Sequence, residues 1–322
     1  MSHSPAPFVS VIMPAYNVEA YIEKAIQSIL AQSYSHFELI IADDHSQDRT
    51  ARLIDAFGDD RIVFIQNKEN LGYAHNMNTL FKAAKGEYLI IQDADDYSSG
   101  NRIQVLVDFL NTHRDVHVVG SSYIKVDDHE KEERVSVSTD RTFIATCFEQ
   151  MSDPLPVLNG TLMFRREIFD RGFLFRNLKY INRAQDDDWL FRVSEHFTIA
   201  NVKESLYYYR INSSSMTQNP IHSNYYSIFA GDYVRFLKTH RKEHGVDLLE
   251  RANWVEIEKF FQGKKDQITS AEPAYMELYI AHKFLSQGKR IRTLQWLLKA
   301  LWKDIGNAFI WKKIVYIVWK QN

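Results

Sequence analysis

A single cysteine, Cys147, stands in the 322 residues. That excludes an internal disulfide and fits a reducing compartment, so a cytoplasmic setting is expected. Long apolar runs are missing as well, since no stretch approaches the roughly 18 to 20 residues that a membrane span needs. At the N-terminus no Lys or Arg precedes a long apolar segment, and no signal peptide is expected. The twelve glycines never occur as Gly-x-Gly, and none leads a Gly-Lys-Ser or Gly-Lys-Thr. This argues against a dinucleotide-binding Rossmann enzyme and a P-loop kinase. An excess of positive charge is also missing: the net charge of −2 argues against a general nucleic-acid binder.

The charge that is present is unevenly spread. From Lys283 to Asn322 nine Lys or Arg face one acid, Asp304, which gives +8 and leaves about −10 for residues 1–282. Two halves of opposite sign suggest two partners.

The most informative stretch is Ile90-Ile91-Gln92-Asp93-Ala94-Asp95-Asp96, an apolar strand-like run that stops at three carboxylates. Such a cluster repels itself unless a cation neutralises it, and hard divalent cations choose oxygen ligands. Upstream, Glu38 to Asp44 ends in two more aspartates, and Val9 to Met13 runs into Pro14-Ala15-Tyr16-Asn17. Continuous apolar runs with helical patterns between them predict a mainly parallel sheet built from right-handed crossovers. Ligands bind beyond the carboxyl ends of such strands. Pro14, Asp43, Asp44, Asp93 and Asp95 are therefore expected on one rim.

Along the chain, Asn17 reads as an N-cap and Glu19 as part of the first turn of a helix whose apolar face is Ile22, Ala25, Ile26 and Ile29. A short helix follows at Thr50 to Phe57, a strand at Arg61 to Ile65, and a helix at Ala74 to Lys85 that Gly86 ends. Further elements are a helix at about Arg102 to Asn111, a strand at Val116 to Gly120, an exposed loop or hairpin at Lys125 to Arg134, and a strand at Asn159 to Phe164. A third acidic cluster, Gln185-Asp186-Asp187-Asp188-Trp189, leads into a helix. Its aspartates could cap that helix, or one of them could act as a general base.

Five blocks, VSVIMPAYN, ELIIADDHSQDRT, NLGYAHNMN, GEYLIIQDADD and AQDDDWLFR with the following YYYRINSSSMT, resemble the family 2 glycosyltransferases in kind and order, over about residues 9–217. The resemblance implies an α/β, GT-A nucleotide-diphospho-sugar transferase fold and an inverting, metal-dependent transfer. A catalytic domain would span 1–217, followed by a helical C-terminal region, 218–322.

The resemblance assigns Pro14, Ala15 and Tyr16 to the nucleoside wall. It assigns Asp44 to the base, where a carboxylate could accept the N3 proton of uracil. Asn78 would support the same wall. Asp95, with Asp93, would hold Mn²⁺ or Mg²⁺ against the donor diphosphate, and Asp186 would be the base, with Gln185 and Trp189 toward the acceptor. Gln185 stands where the family commonly has Glu, which leaves one carboxylate instead of two and tends to lower the pKa of Asp186. Arg210, before Ser213 to Ser215, would belong to a closing loop whose basic residue reaches the diphosphate. The expected donor is a nucleotide sugar, most simply a UDP-sugar. The acceptor would be a glycan or lipid-linked glycan in surface polysaccharide or glycolipid synthesis. A nucleotide- or glycan-binding relative without turnover is one alternative, and a sugar nucleotidyltransferase another, although the latter should open with a Gly-rich phosphate loop.

In the C-terminal third, Pro273 to Ile305 predicts a helical hairpin turned at Gly288. Ile291, Leu294, Leu297, Leu298, Leu301 and Ile305 are expected on one face, with Arg292, Lys299 and Lys303 opposite. Trp296, Trp302, Trp311 and Trp319 lie among basic residues there. The mixture suits either an anionic membrane surface, giving peripheral attachment at the inner face of the plasma membrane, or helices packed on the catalytic domain with lysines in water.

Overall fold

The computed structural model describes residues 6–127, 131–152, 154–181, 183–211, 225–286 and 288–319. It divides into two compact units, residues 1–177 with 185–211, and residues 178–184 with 212–322. The expected boundary at 217 and the serines at 213–215 lie outside the described residues.

The first unit is built on one mixed sheet. Its strands are β1 (Val9–Ala15), β2 (Phe37–Asp43), β3 (Ile62–Gln66), β4 (Tyr88–Ile91), β5 (Tyr97–Ser98), β6 (Val118–Val126), β7 (Glu132–Val135), β8 (Met163–Arg165) and β9 (Ile199–Arg210). The order is β3-β2-β1-β4-β8-β6-β9-β5, with β7 paired to β6. β3, β2, β1 and β4 run parallel, and β8 is antiparallel to both β4 and β6. The expected mainly parallel sheet is thus the N-terminal half of a mixed one. β1 and β2 bury side chains on both faces, as their unbroken apolar runs require. The helix Ile22–Leu30 covers one face with Ile22, Ala25, Ile26 and Ile29, each fully buried isoleucine contributing roughly 1.5–3 kcal/mol.

Several local expectations change. Asn17 is not an N-cap: the helix starts five residues later. Asn17 instead adopts a left-handed φ of 51°, and its side chain accepts from the Gln47 N–H at 2.8 Å. Gly86 does not end a helix. The helix Tyr73–Ala83 is already over at Ala84, which is extended, and a Cβ on Gly86 would stand 2.4 Å from the Ser10 nitrogen. Close approach of two backbones, not a turn, requires glycine there. Asn159–Thr161 is a 3₁₀ turn before β8 and not a strand. The charged segment after β6 is a hairpin, β6 pairing β7 from Val126↔Glu132 to Tyr123↔Val135.

The second unit is helical in its described residues. Helices Ala230–His244 and Trp254–Ala271 are joined by an aromatic cluster, with Phe236 stacked on Phe260 at 4.5 Å and Tyr233 against Phe261 at 4.8 Å. Helices Tyr275–Ser286 and Arg290–Lys303 form the expected hairpin, with Gly288 at φ +69° in the turn. Helix Ala308–Trp319 follows. The single apolar face expected for 291–305 is corrected. Leu297 and Leu301 are buried and Leu294 packs beside them, together with Ala281, Ile310 and Ile317. Ile291, Leu298 and Ile305 are exposed. Among the described residues, no helix is long and apolar enough to cross a membrane.

Candidate active site

The carboxyl ends of β1, β2 and β4 open on one edge of the sheet, because the three strands are parallel and in register, with Ala15 beside Asp43 and Ile12 beside Ile91. The acidic loop leaves β4 there, anchored by Gln92 N–H donating to the Ile12 carbonyl. Strand β5 closes it by pairing with β9 at Tyr207 and Tyr208.

Beneath the loop lies a fully buried arginine that the sequence reading passed over. Arg102 donates to Gln92 Oε1 (3.0 Å) and Ser98 Oγ (2.9 Å) from one nitrogen, and to the carbonyls of Ile91 (2.8 Å) and Gly160 (2.6 Å) from the other. Burial pulls its pKa down to about 10, with Tyr207, Asp93 and Asp96 opposing. It therefore stays a cation at neutral pH and supplies positive charge under the carboxylates. A signal was available: Arg102 opens a helix, where the dipole disfavours a cation, so a tertiary partner was to be sought.

Asp93 is pushed up to about 7, first by burial, then by the charges of Asp95 and Asp186, with Tyr207 and Arg102 offsetting part of this. The Tyr207 hydroxyl donates to Asp93 Oδ2 at 3.3 Å. Asp96 is raised too, chiefly by burial and then by Asp95 and Asp93. Its Oδ1 accepts from the Arg210 N–H at 2.7 Å, while its Oδ2 is buried and, among the described residues, meets no donor at hydrogen-bond geometry. Asp186, in the first turn of the helix Gln185–Ser194, is raised by burial against the backbone N–H groups of Asp187 and Asp186. Tyr73 is raised by burial and then by both Asp93 and Asp186, and its hydroxyl accepts from Asn159 Nδ2 at 3.0 Å. The acidic loop and Asp186, ninety residues apart in the chain, therefore face one space. Gly160 makes the approach possible, since a Cβ there would lie 2.7 Å from Asp93 Oδ2 and 2.5 Å from the Tyr207 hydroxyl.

A hard cation fits these residues. The donor atoms are carboxylate oxygens that raise one another's pKa, and one buried oxygen, Asp96 Oδ2, lacks a hydrogen-bond partner among the described residues. Among the described residues no three acidic, His or Cys side chains form a complete ligand set. The fit is to a cation held by one or two carboxylates and completed by phosphate oxygens and water, as Mg²⁺ commonly is.

On the neighbouring strand ends, Tyr16 presents an exposed ring. Ala15 is buried, its carbonyl accepting from the Asp44 N–H at 2.8 Å, and Pro14 pairs with Ala42. Asp44 is largely engaged by the segment that follows β3, residues 67–72. Its Oδ1 accepts from Asn67 Nδ2 and Leu71 N–H (both 2.9 Å) and its Oδ2 from Gly72 N–H at 2.8 Å. A further donor can reach only the remaining lone pairs, those of Oδ2 above all.

Three assigned residues lie elsewhere than expected. Asn78 exchanges two hydrogen bonds with the Phe175 backbone (2.8 and 3.0 Å) and joins helix 73–83 to that segment. Asn76, not Asn78, stands beside Asp44: it is buried, accepts from Asn67 and donates to the Ala42 carbonyl. Trp189 does not face an acceptor. It is fully buried, stacked on Phe175 with centroids 5.4 Å apart, and donates to the Phe173 carbonyl at 2.9 Å. Arg210 is buried rather than poised on a lid, its guanidinium over Tyr21 at 5.1 Å and its Nε donating to the Asp95 carbonyl at 3.3 Å. It clamps the acidic loop. Gln185 is buried at the helix start. Of the three consecutive aspartates, Asp188 is taken by ion pairs to Arg176 and Arg192, which separates it in role from Asp186.

With this geometry in view, the comparisons agree on one relationship. The glycosyl transferase family 2 profile matches residues 10–173. The EpsE protein of Bacillus subtilis (strain 168) is 36% identical over 214 residues, covering 65% of this chain and 75% of that protein. The Escherichia coli UDP-Glc:alpha-D-GlcNAc-diphosphoundecaprenol beta-1,3-glucosyltransferase WfaP is 30% identical over 219 residues, 66% of this chain and 80% of its own. Among solved structures, S. aureus TarS 1–349 in complex with UDP-GlcNAc aligns with a TM-score of 0.55 at 18% identity, covering 88% of this chain and 90% of that one. The chain belongs to glycosyl transferase family 2, and its α/β unit with a helical C-terminal region has the GT-A fold.

Proposed function

We propose that this glycosyltransferase moves a sugar from a UDP-sugar to a hydroxyl of a glycan or lipid-linked glycan, with inversion at the anomeric carbon, in surface polysaccharide or glycolipid synthesis. The observation that carries the reading is the facing of Asp186 and the Asp93–Asp95 loop at the strand ends, each raising the proton affinity of Asp93. One side of that space offers carboxylates to a cation and its phosphates, the other a base to an incoming hydroxyl.

The uridine reading is supported by the exposed ring of Tyr16 beside Asp44. It is supported too by the UDP-GlcNAc held by TarS and the UDP-Glc in the name of WfaP. Asp95 and Asp93 would hold Mn²⁺ or Mg²⁺, which when bound stabilises negative charge on the leaving nucleoside diphosphate. Arg102 and Arg210 keep that loop in one conformation, from below and from its far end. Asp186 takes the proton of the acceptor hydroxyl as it attacks opposite the diphosphate. Its proton affinity, raised by burial, makes it a stronger base than a solvated carboxylate. Gln185 offers a neutral hydrogen-bonding group beside it.

The reading is tested by thermal unfolding with UDP, GDP and their sugars, each with and without Mn²⁺. A ligand at a hundred times its dissociation constant stabilises by about 2.7 kcal/mol. A rise with UDP that requires the cation is expected. A cation-dependent rise with GDP alone would replace the donor, and binding without any turnover would favour a non-catalytic binder.

A further inference from the structure

The second unit carries a surface that glycosyl transfer does not account for. In helix Arg290–Lys303 the apolar residues divide between two opposite faces. Thr293, Leu297, Ala300 and Leu301 are buried, whereas Ile291, Leu298 and Trp302 are 76, 57 and 88% exposed. Their spacing of seven and then four residues aligns the three on one stripe. Helix Ala308–Trp319 repeats the division. Ile310 and Ile317 are buried, while Trp311 and Val315, one turn apart, lie outward on one flank of the helix. Exposed apolar side chains at this density in successive helices mark a surface that is covered in use.

Charge identifies the cover. From Lys283 onward the sequence has nine basic residues and one acid, Asp304. Lys303 is engaged by Glu277 at 2.9 Å. Arg292, Lys299 and Lys312 are exposed, and Lys299 lies over the Trp296 ring at 4.1 Å. A second copy laid face to face would set positive against positive, which opposes association. An anionic bilayer meets both features, since the apolar stripe enters the headgroup boundary, Trp sits at that depth, and lysines meet lipid phosphates.

We infer that Ile291, Leu298, Trp302, Trp311 and Val315, with Arg292, Lys299 and Lys312, form a docking surface for an anionic lipid bilayer. It deepens the lipid-linked acceptor part of the reading above by giving the chain a means of staying at the surface where such an acceptor lies. It does not depend on the donor chemistry.

The test is co-sedimentation of the full chain with phosphatidylcholine vesicles, with and without about one third phosphatidylglycerol. The same is done for Leu298→Ser/Trp302→Ser/Trp311→Ser and for Arg292→Gln/Lys299→Gln/Lys312→Gln. All six positions are exposed, so both variants should fold. Retained melting temperature and nucleotide-dependent stabilisation verify this and keep the site reading separate. The expected result is binding to anionic vesicles only, weakened by salt, and at least tenfold weaker in each variant. The inference is overturned if the wild-type chain stays in the supernatant with anionic vesicles, or if either folded variant binds as well as wild type. It is also overturned if sedimentation velocity shows a wild-type dimer that the serine variant dissolves.

Discussion

The two units spend apolar side chains in opposite ways. In the first, β1 and β2 are buried on both faces, so charges are the exception and gather where the strands end. In the second, helices 290–303 and 308–319 bury one apolar face and expose another, so the exposed apolar groups are the exception. A functional surface is legible as a local departure from what the surrounding element does. The departure is charge at the end of a buried strand in one unit, and tryptophan in water in the other.

The comparison breaks most sharply under substitution of the acidic loop. Asp95→Ala should lower turnover by about a thousandfold or more, as loss of charge stabilisation in a closed site does, with little change in melting temperature. Vesicle binding should be unaffected. If Asp95→Ala also released the protein from vesicles, the two surfaces would not be separate.

A smaller effect is expected from two glycines. Gly160→Ala would press on Asp93 and Tyr207, costing about 1–3 kcal/mol of stability and most of the activity. Gly288→Ala, at φ +69° with open space around it, should cost about 1 kcal/mol and leave activity intact. Chemical denaturation and rate measurements on both variants separate packing at the site from strain in a turn of the second unit.

The pH response sharpens the contrast further. Asp93 has a folded pKa of about 7, above the roughly 3.9 of an unfolded aspartate. The folded state therefore holds the proton more tightly, and stability of the cation-free protein falls as pH rises from about 4 through 7. Asp93→Asn should flatten this slope in melting curves and remove stabilisation by Mn²⁺. A wild-type slope unchanged in the variant would contradict the assignment. The smallest effect concerns Gln185. Replacing it with Glu adds a charge beside Asp186, which should raise the Asp186 pKa and move the acid limb of the rate profile to higher pH, with a change in maximal rate below about tenfold.

Much of the site was legible because strands announce their ends. Asp43, Asp93 and Asp95 stand at or just past the ends of apolar runs, and parallel strands put those ends together. Asp186 could be named only from the block around it, since its closeness to Asp93 is a tertiary fact. Arg102 and Gly160 were missed for the same reason: the arginine acts through carbonyls 11 and 58 residues away, and the glycine through a side chain near the end of β9. Trp189 and Asn78 were misplaced because a block shared by a family mixes residues that touch ligands with residues that hold the scaffold, and linear spacing does not separate them. In the last helices, periodicity identified apolar positions but not which face would be covered, because two faces were apolar.

The central claim is that Asp186 removes the acceptor's proton while the opposite carboxylates serve the donor. Its most direct test is Asp186→Asn, with donor binding and single-turnover transfer measured on the same preparation. The account predicts cation-dependent donor binding within about twofold of wild type and transfer reduced by about 10²–10⁴. Transfer at the wild-type rate would contradict it.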